Sequence, residues 1–249
     1  MGFAVGKNRF GNAGGYGAIS ADAAKPSHSL IQGLVSWWTL NEAAGQALDA
    51  HGVNHLTEIG GPIASAPGKV GNARDLELSN GQYFSRPDNA DLSVGDVDFT
   101  FCCWVKAESL ATYNTIINKW GVSGTFEYKI YRDQSTTAFH FILSADGVGY
   151  TNWQGNVAPV VGTWYFIAAW HDSVANTINI QIDNAAVISA AYVTGVFNGP
   201  SVFQIGQGDP GQNWDGLIDE VGFWKRVLTP AERTFLYNGG AGRSYAELL

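Results

Sequence analysis

The sequence is short of charge and nearly free of cysteine, and each scarcity removes a class of answer. Lys, Arg, Asp and Glu make up 14% of the 249 residues, with 22 acidic against 14 basic, a net charge of −8. No cluster of Lys or Arg interrupts that balance. The basic face that nucleic-acid binding needs is therefore missing, and so is the attraction to an anionic membrane surface. The two cysteines are the neighbours Cys102 and Cys103. On a strand they point to opposite faces, so an ordinary bridge between them is ruled out. They read as small buried apolar residues, which fits folding in a reducing compartment such as the cytoplasm. No run reaches the roughly 20 apolar residues of a membrane-spanning helix, so no membrane insertion is expected. The opening MGFAVGKNRFGNAGGYG lacks both the apolar stretch and the cleavage pattern of a signal peptide. Catalytic signatures are missing too. His28, His51, His55, His140 and His171 show no metal-ligand spacing such as His-Glu-x-x-His. They read as ordinary surface or turn residues, although His51 and His55 share a loop. No Ser/His/Asp order, phosphate loop or dinucleotide fingerprint is present.

What the chain has is glycine, 31 of them, and an apolar fraction of 45%. The first suits many tight turns between short strands, and the second is enough for a sizeable core. Thr177-Ile178-Asn179-Ile180-Gln181-Ile182 alternates strictly, with isoleucines on one face. The runs at 99–105 and 164–170 are apolar on both faces and read as central strands covered on both sides. Further strands are expected at 34–40, 73–78, 82–85, 115–120, 127–132, 138–144, 187–191, 202–205 and 216–224. Turn signals such as Asn80-Gly81, Asp146-Gly147 and Asp183-Asn184 separate them. One helix is marked by Thr229-Pro230-Ala231-Glu232, a capping box with proline at the first helical position. Many short strands and one late helix predict an all-β fold: a two-sheet antiparallel jelly-roll sandwich with one short C-terminal helix. Residues 1–33 differ. They are rich in Gly and Ala and carry Lys7, Arg9 and Lys25 against Asp22, so their charge is opposite in sign to that of residues 34–249. We read 1–33 as an extended arm, with Phe3, Phe10 and Tyr16 as candidate assembly anchors, and 34–249 as the jelly-roll domain.

Several segments resemble the laminin-G-like, concanavalin A-like lectin/glucanase family. Leu34–Glu42 looks like its opening strand, and Asp49-Ala50-His51-Gly52-Val53-Asn54 like a loose version of the Asp-x-x-Gly loop that follows. Phe99–Lys106 resembles the Phe-Thr…Trp-Val-Lys strand. Gly162-Thr163-Trp164-Tyr165 through Asp183-Asn184 resembles a hairpin in which the family favours glycine at the last position; Asn tolerates the same positive φ. The strongest likeness is Trp214-Asp215-Gly216-Leu217-Ile218-Asp219-Glu220-Val221 followed by Leu228-Thr229-Pro230-Ala231-Glu232. The resemblance implies the jelly roll. It also implies a structural Ca²⁺, held by Asp49 and Asp219 with Asn54 as helper; the alternative is that Asp219 orders a neighbouring turn without metal.

Sugar binding needs aromatic faces for C–H stacking and amide or carboxylate partners for hydroxyls. Trp38, Trp104, Trp164 and Trp224 lie in strong strand patterns and read as core. Trp153 lies in a polar run with Asn152 and Asn156 and reads as an exposed loop aromatic. Trp120, Tyr113 and Trp214, near Asn118, Asn114 and Asn213, are further candidates. Glycoside hydrolysis needs two carboxyls roughly 5–9.5 Å apart. Asp215 and Asp219 are about 13 Å apart at strand rise, Glu220 points to the other face, and the Glu-x-Asp-x-x-Glu motif of laminarinase-type relatives is absent. The expectation is a non-enzymatic module that binds a glycan or a surface protein. It would be displayed on a larger assembly through residues 1–33. A phage virion surface, as head decoration or tail protein, fits cytoplasmic folding without an export signal. A purely structural cementing protein and a glycoside hydrolase are the alternatives.

Overall fold

The computed structural model describes residues 1–2, 25–26, 29–208 and 211–249. The arm candidates Phe3, Phe10 and Tyr16 lie outside the described residues. Along the chain come β1 (Leu34–Trp38), β2 (Thr57–Ile59), β3 (Ala64–Pro67), β4 (Asn72–Leu76), β5 (Tyr83–Arg86) and β6 (Phe99–Ala107). Then follow β7 (Asn114–Lys119), β8 (Tyr128–Arg132), β9 (Phe139–Leu143), β10 (Thr151–Gln154) and β11 (Trp164–Asp172). The last are β12 (Thr177–Ile182), β13 (Ile188–Ala191), β14 (Phe203–Ile205), β15 (Gly216–Trp224) and α1 (Pro230–Tyr237). They form two sheets. One has eight strands in the order β13-β12-β11-β6-β15-β4-β3, with β1 also paired to β15; the other has seven, in the order β10-β9-β8-β7-β14-β5-β2. Every pairing between these strands is antiparallel. The two sheets pack face to face as the expected jelly-roll sandwich. Among the described residues no helix is long and apolar enough to cross a membrane.

The inner faces follow the alternation read from sequence. Ile178, Ile180 and Ile182 of β12, Phe99, Phe101, Cys103 and Val105 of β6, and Phe139, Phe141 and Leu143 of β9 meet in one core. Phe101 stacks on Phe223 at 4.4 Å between ring centres. Each such side chain contributes about 1.5–3 kcal/mol by leaving water. Asp183 and Asn184, at φ 50° and 56°, make the tight turn after β12, so asparagine serves where the family favours glycine.

The eight-stranded sheet is also covered outside. Trp37, Cys102, Trp104, Phe166, Ala168, Trp170 and Trp224 form a second apolar layer beneath Leu228, Phe235 and Leu236 of the α1 region, and beneath Leu30 and Leu248. Cys102 and Cys103 thus lie in different layers, both free and buried. Gly222 is required by this packing, because a Cβ there would lie 2.6 Å from the indoles of both Trp37 and Trp224. Leu30 is fully buried, and its carbonyl accepts the Trp224 indole N–H at 2.7 Å. Packing of the domain therefore begins before residue 34. Thr229 caps α1 as the sequence indicated, with both halves of the capping box formed.

Three strands escape the sequence pattern. β2, β3 and β10 have three or four residues each and no apolar face, and β2, β3 and β10 are all edge strands. Neighbours, not periodicity, specify them. Trp153 accordingly lies on a strand rather than in a loop. Trp164, read as core, is half-buried, with the Lys106 ammonium 5.3 Å from its ring.

Candidate functional site

The second apolar layer and α1 lie on the other sheet, which leaves the outer face of the seven-stranded sheet without a helix over it among the described residues. Tyr128, Ile130, Phe139, Phe141 and Leu143 point into the core, which leaves Lys129, Tyr131, His140 and Ile142 on the opposite face. Asn152 joins them from β10, opposite Ile142. β7 is flanked by Tyr113 and Trp120, about 23 Å apart at strand rise. All of these except His140, which lines the adjoining recess, border a groove of about 420 Å³.

Its two ends are aromatic. At one, Tyr113 stacks on Tyr131 at 6.4 Å. At the other, Trp120 lies flat on Phe126 at 4.2 Å and meets Tyr150 edge-on at 5.6 Å. Tyr150 is 61% exposed. This second end is built by two knitted turns, in which the Gly124 and Phe126 amides donate to the Gly147 carbonyl at 2.7 and 3.1 Å. Gly147 sits at φ 81°, and a Cβ there would lie 2.8 Å from the Gly124 carbonyl oxygen, so only glycine lets the turns approach.

Between the ends lie polar groups. Lys129 Nζ is 5.2 Å from the centre of the Tyr131 ring and reaches Gln212 Oε1 at 3.4 Å. A hydrogen-bonded chain crosses three strands and a turn. Thr136 Oγ1 lies 2.6 Å from His140 Nε2, and His140 Nδ1 lies 2.7 Å from Asn152 Oδ1. Asn152 Nδ2 donates to the Tyr131 hydroxyl at 3.1 Å, which in turn donates to Asp133 Oδ2 at 3.3 Å. Asp133 Oδ1 accepts from the Ser135 amide and hydroxyl and from the Thr136 amide. Burial pushes Asp133 up, but these hydrogen bonds outweigh it and bring its carboxyl down to about 2. Burial lowers His140 below the usual histidine value, against the opposing pull of Asn152 and Asp133. Burial, with Asp133 beside it, holds the Tyr131 hydroxyl protonated. A second recess of about 380 Å³ adjoins the chain, lined by Thr136, His140, Asn152, Trp153 and Gln154.

Of the residues singled out from sequence, Tyr113, Trp120 and Asn152 meet in the groove. Trp153 lines the adjoining recess but is half-buried against the core, and its indole N–H has no partner. Asn156 is exposed beyond the end of β10 and lines neither recess. Trp214 is a correction: it is 0% exposed and donates to the Leu217 carbonyl at 3.2 Å, so it is core. Tyr131, Lys129, Tyr150 and Phe126 were missed. Tyr131 and Lys129 carried a usable signal as the alternate positions of a half-apolar strand. His140 gave none, because its partners come from other strands.

The residues named for calcium do not fit a shared ion. The Asp49 carboxylate accepts four backbone amides, from Trp37, His51 and Gly52 on Oδ1 and from Asn54 on Oδ2, at 2.9–3.0 Å. Its lone pairs are committed to ordering its own loop. The Asn54 side chain donates to Ser36 and accepts from Asn89. Asp219 serves a different turn, accepting the Lys69 and Val70 amides at 2.7 and 2.8 Å. Burial pushes its carboxyl up to about 7. Glu220, expected on the opposite face, is turned by a bulge and a φ of 46° so that it accepts the Trp37 indole N–H. Burial and then Asp219 push Glu220 up to about 9. Asp215 lies before β15 and accepts the Leu78 amide at 3.0 Å. Among the described residues the one trio of acidic, His or Cys side chains with ligand atoms within 4.8 Å of one another is Asp75, Glu77 and Glu108. It belongs to β4 and the end of β6, on the other sheet.

A family model described as the concanavalin A-like lectin/glucanases superfamily matches residues 78–232. Among solved structures, the binding domain of Paraclostridial Mosquitocidal Protein 1 superposes with a TM-score of 0.68 at 14% identity, over 83% of this chain and 52% of its own. Domain 4 of AbnA, a GH43 extracellular arabinanase from Geobacillus stearothermophilus in complex with arabinotriose, gives 0.57 at 22% identity, over 84% of this chain and 98% of that domain. The binding domain of botulinum neurotoxin DC, in complex with rat synaptotagmin II, gives 0.63 at 12% identity, over 84% of this chain and 52% of its own. The chain spans about half the length of the first of these, 52%. At such identities the likeness is one of fold. No curated protein matches the sequence.

Proposed function

The chain belongs to the concanavalin A-like lectin/glucanases superfamily, and we propose that it is a non-catalytic binding module holding a glycan in the groove across its seven-stranded sheet. The observation that carries this reading is the pairing of aromatic ends with a polar floor. Trp120, Tyr150, Tyr113 and Tyr131 offer ring faces, and Asn152, Lys129 and Gln212 lie between them. Ring faces flanking one cation and one carboxylate, with amides between, suit sugar rings, whose C–H faces stack and whose hydroxyls pair with polar groups. The arabinanase domain that shares the fold was captured with arabinotriose, which supports a sugar as the first ligand to try. Asp133 is the one carboxylate lining the groove. It is strongly acidic and hydrogen-bonded, whereas glycosidases use two carboxyls of different acidity, and this favours binding over hydrolysis.

The test is an oligosaccharide panel that includes arabinotriose, read by calorimetry on the wild type and on Trp120→Ala. We expect binding by the wild type, weakened about tenfold in the variant, the usual cost of removing an interface anchor. Equal binding by both proteins sinks the groove assignment. A protein ligand is the second reading, favoured by Val122 and Val148, 76% and 55% exposed in the turns that carry Trp120 and Tyr150. The neurotoxin domain of the same fold was captured with a protein. A panel without a single hit, together with retention of a cell-surface protein, selects it.

Display on a larger particle, such as a virion, is part of the same proposal. It rests on the arm's opposite charge to the domain. Deletion has to stop before Leu30, which is core. The full chain should co-sediment with its particle and a chain lacking residues 1–28 should not; equal sedimentation removes the arm from the proposal.

A further inference from the structure

We propose that His140 is a positioning residue for the groove: as the neutral ring carrying its proton on Nδ1, it ties the Thr136 hydroxyl to the hydrogen-bonded chain that Asp133 directs through Tyr131 and Asn152, and ligand is held more tightly in that state. The inference rests on the reading that the groove is the binding site.

The direction follows link by link. Asp133 is ionised and can only accept, so the Tyr131 hydroxyl donates to it. The Tyr131 oxygen is then the acceptor for Asn152 Nδ2. That leaves Asn152 Oδ1 facing His140 Nδ1 at 2.7 Å, so Nδ1 bears the hydrogen. In a neutral ring Nε2 is then an acceptor and takes the Thr136 hydroxyl hydrogen. The Thr136 oxygen therefore shows only lone pairs to the recess, and Asn152 and Tyr131 are locked at the groove floor. No link can be reversed while Asp133 is charged.

Protonation of His140 breaks the pattern at one point. Both ring nitrogens become donors, the Thr136 hydroxyl must turn its hydrogen outward, and a positive charge appears 5.3 Å from the Tyr131 ring centre. Among the described residues the charged or titratable groups on this face are Lys129 and Tyr131 of β8, Asp133 of the turn after it, and Tyr113 and Tyr150 at the ends of the groove. β10 presents the amides of Asn152 and Gln154, which do not titrate. Asp133 alone favours the charged ring. Burial of His140, 3% exposed, opposes it more strongly. The neutral state therefore holds down to a pH below 6.5, the unperturbed value.

Two arms test this on the full chain. In the first, calorimetry with the best-binding oligosaccharide, starting from arabinotriose, is run from about pH 8 to about pH 4.5 on the wild type, His140→Gln and His140→Leu. Gln can donate to Asn152 and accept from Thr136 but cannot titrate. We expect wild-type affinity to be flat above the ordinary histidine range and to fall about tenfold below it, the worth of one or two hydrogen bonds. His140→Gln should keep the high-pH affinity and lose the pH dependence, and His140→Leu should bind weakly throughout. A pH profile that persists in His140→Gln, or wild-type binding by His140→Leu, overturns the proposal. The second arm needs no ligand. Nitrogen NMR of the His140 ring should show the Nδ1–H tautomer, and the Asn152 side-chain amide should shift with the same midpoint as the ring titrates. The opposite tautomer, or an indifferent Asn152 amide, overturns the relay. If no oligosaccharide binds, the groove reading fails by the first arm while the second still decides the relay.

Discussion

The outer faces of the two sheets are made from similar side chains and do opposite things. On the eight-stranded sheet, Trp37, Trp104, Trp170 and Trp224 are buried under α1 and the chain ends. On the seven-stranded sheet, half-buried Trp120 and Tyr113 and exposed Tyr150 line a groove that no helix covers among the described residues. An aromatic residue on a strand is therefore neither core nor binding residue by its own chemistry. What decides is whether another segment covers it. Here the deciding segment is short: an eight-residue helix with a formed capping box, followed by a tail that buries Leu248.

The largest effect that would break the comparison comes from cutting the same atoms on both faces. Trp224 is fully buried, edge-on to Trp37 at 5.7 Å, with its N–H bonded to Leu30. Trp224→Ala should cost about 3–5 kcal/mol, the range for large-to-small changes in a core. Trp224→Phe should cost less and guards against a variant that fails to fold. Trp120→Ala, on the open face, should cost about 1 kcal/mol or less, as for a surface substitution. Urea denaturation of the three variants measures this, and similar losses for Trp224→Ala and Trp120→Ala would mean that the groove is itself a covered face.

Next in size is a pH effect confined to the covered face. Burial raises Asp219 to about 7 and Glu220 to about 9, while unfolded carboxyls ionise near 4. Between those limits the folded chain holds protons that the unfolded chain has lost, so stability falls as pH rises. The contribution is full below the unfolded values and is gone above about 9, the folded value of Glu220. Glu220→Gln keeps an acceptor for the Trp37 indole and removes the titration. From pH 7 to 9 the wild type should lose about 1–2 kcal/mol relative to the variant, seen as a flatter plot of melting temperature against pH for the variant. Parallel plots would show that Glu220 is already ionised at neutral pH.

The comparison also explains what could be read from the sequence. Strands with a buried face announced themselves by alternation, and β6 and β11 announced two buried faces. The helix that covers the second layer was visible from Thr229-Pro230-Ala231-Glu232. Hidden were the features that depend on pairing. The edge strand β10 has no apolar face of its own, yet its register against β9 brings Asn152 to the groove. His140 faces Tyr131 and Gln154 only through pairings on both sides. The bulge that turns Glu220 toward Trp37 breaks the period-2 rule by which it was assigned elsewhere. Trp214 and Trp120 looked alike in sequence, each within two residues of an asparagine. One fills the core and the other the groove, because the chain turns inward after Asn213 and outward after Lys119.

The smallest expected effect tests whether the cover can be loosened without touching the groove. Thr229 Oγ1 accepts the Glu232 amide at 3.3 Å, and Glu232 returns a bond from the Thr229 amide at 2.7 Å. Glu232 also holds Arg226 through both guanidinium nitrogens, so half of the box outlasts the loss of the hydroxyl. Thr229→Ala should therefore cost about 1 kcal/mol, typical of an N-cap, and lower the melting temperature by about 2–4 °C for a domain of this size. The lost protection should appear in hydrogen exchange of α1 and of the strands beneath Phe235 and Leu236. Amides of β8, β9 and β10, which lie on the other sheet, should be unchanged. If they lose protection as well, the two outer faces are one cooperative unit and the groove depends on the helix that covers the opposite sheet.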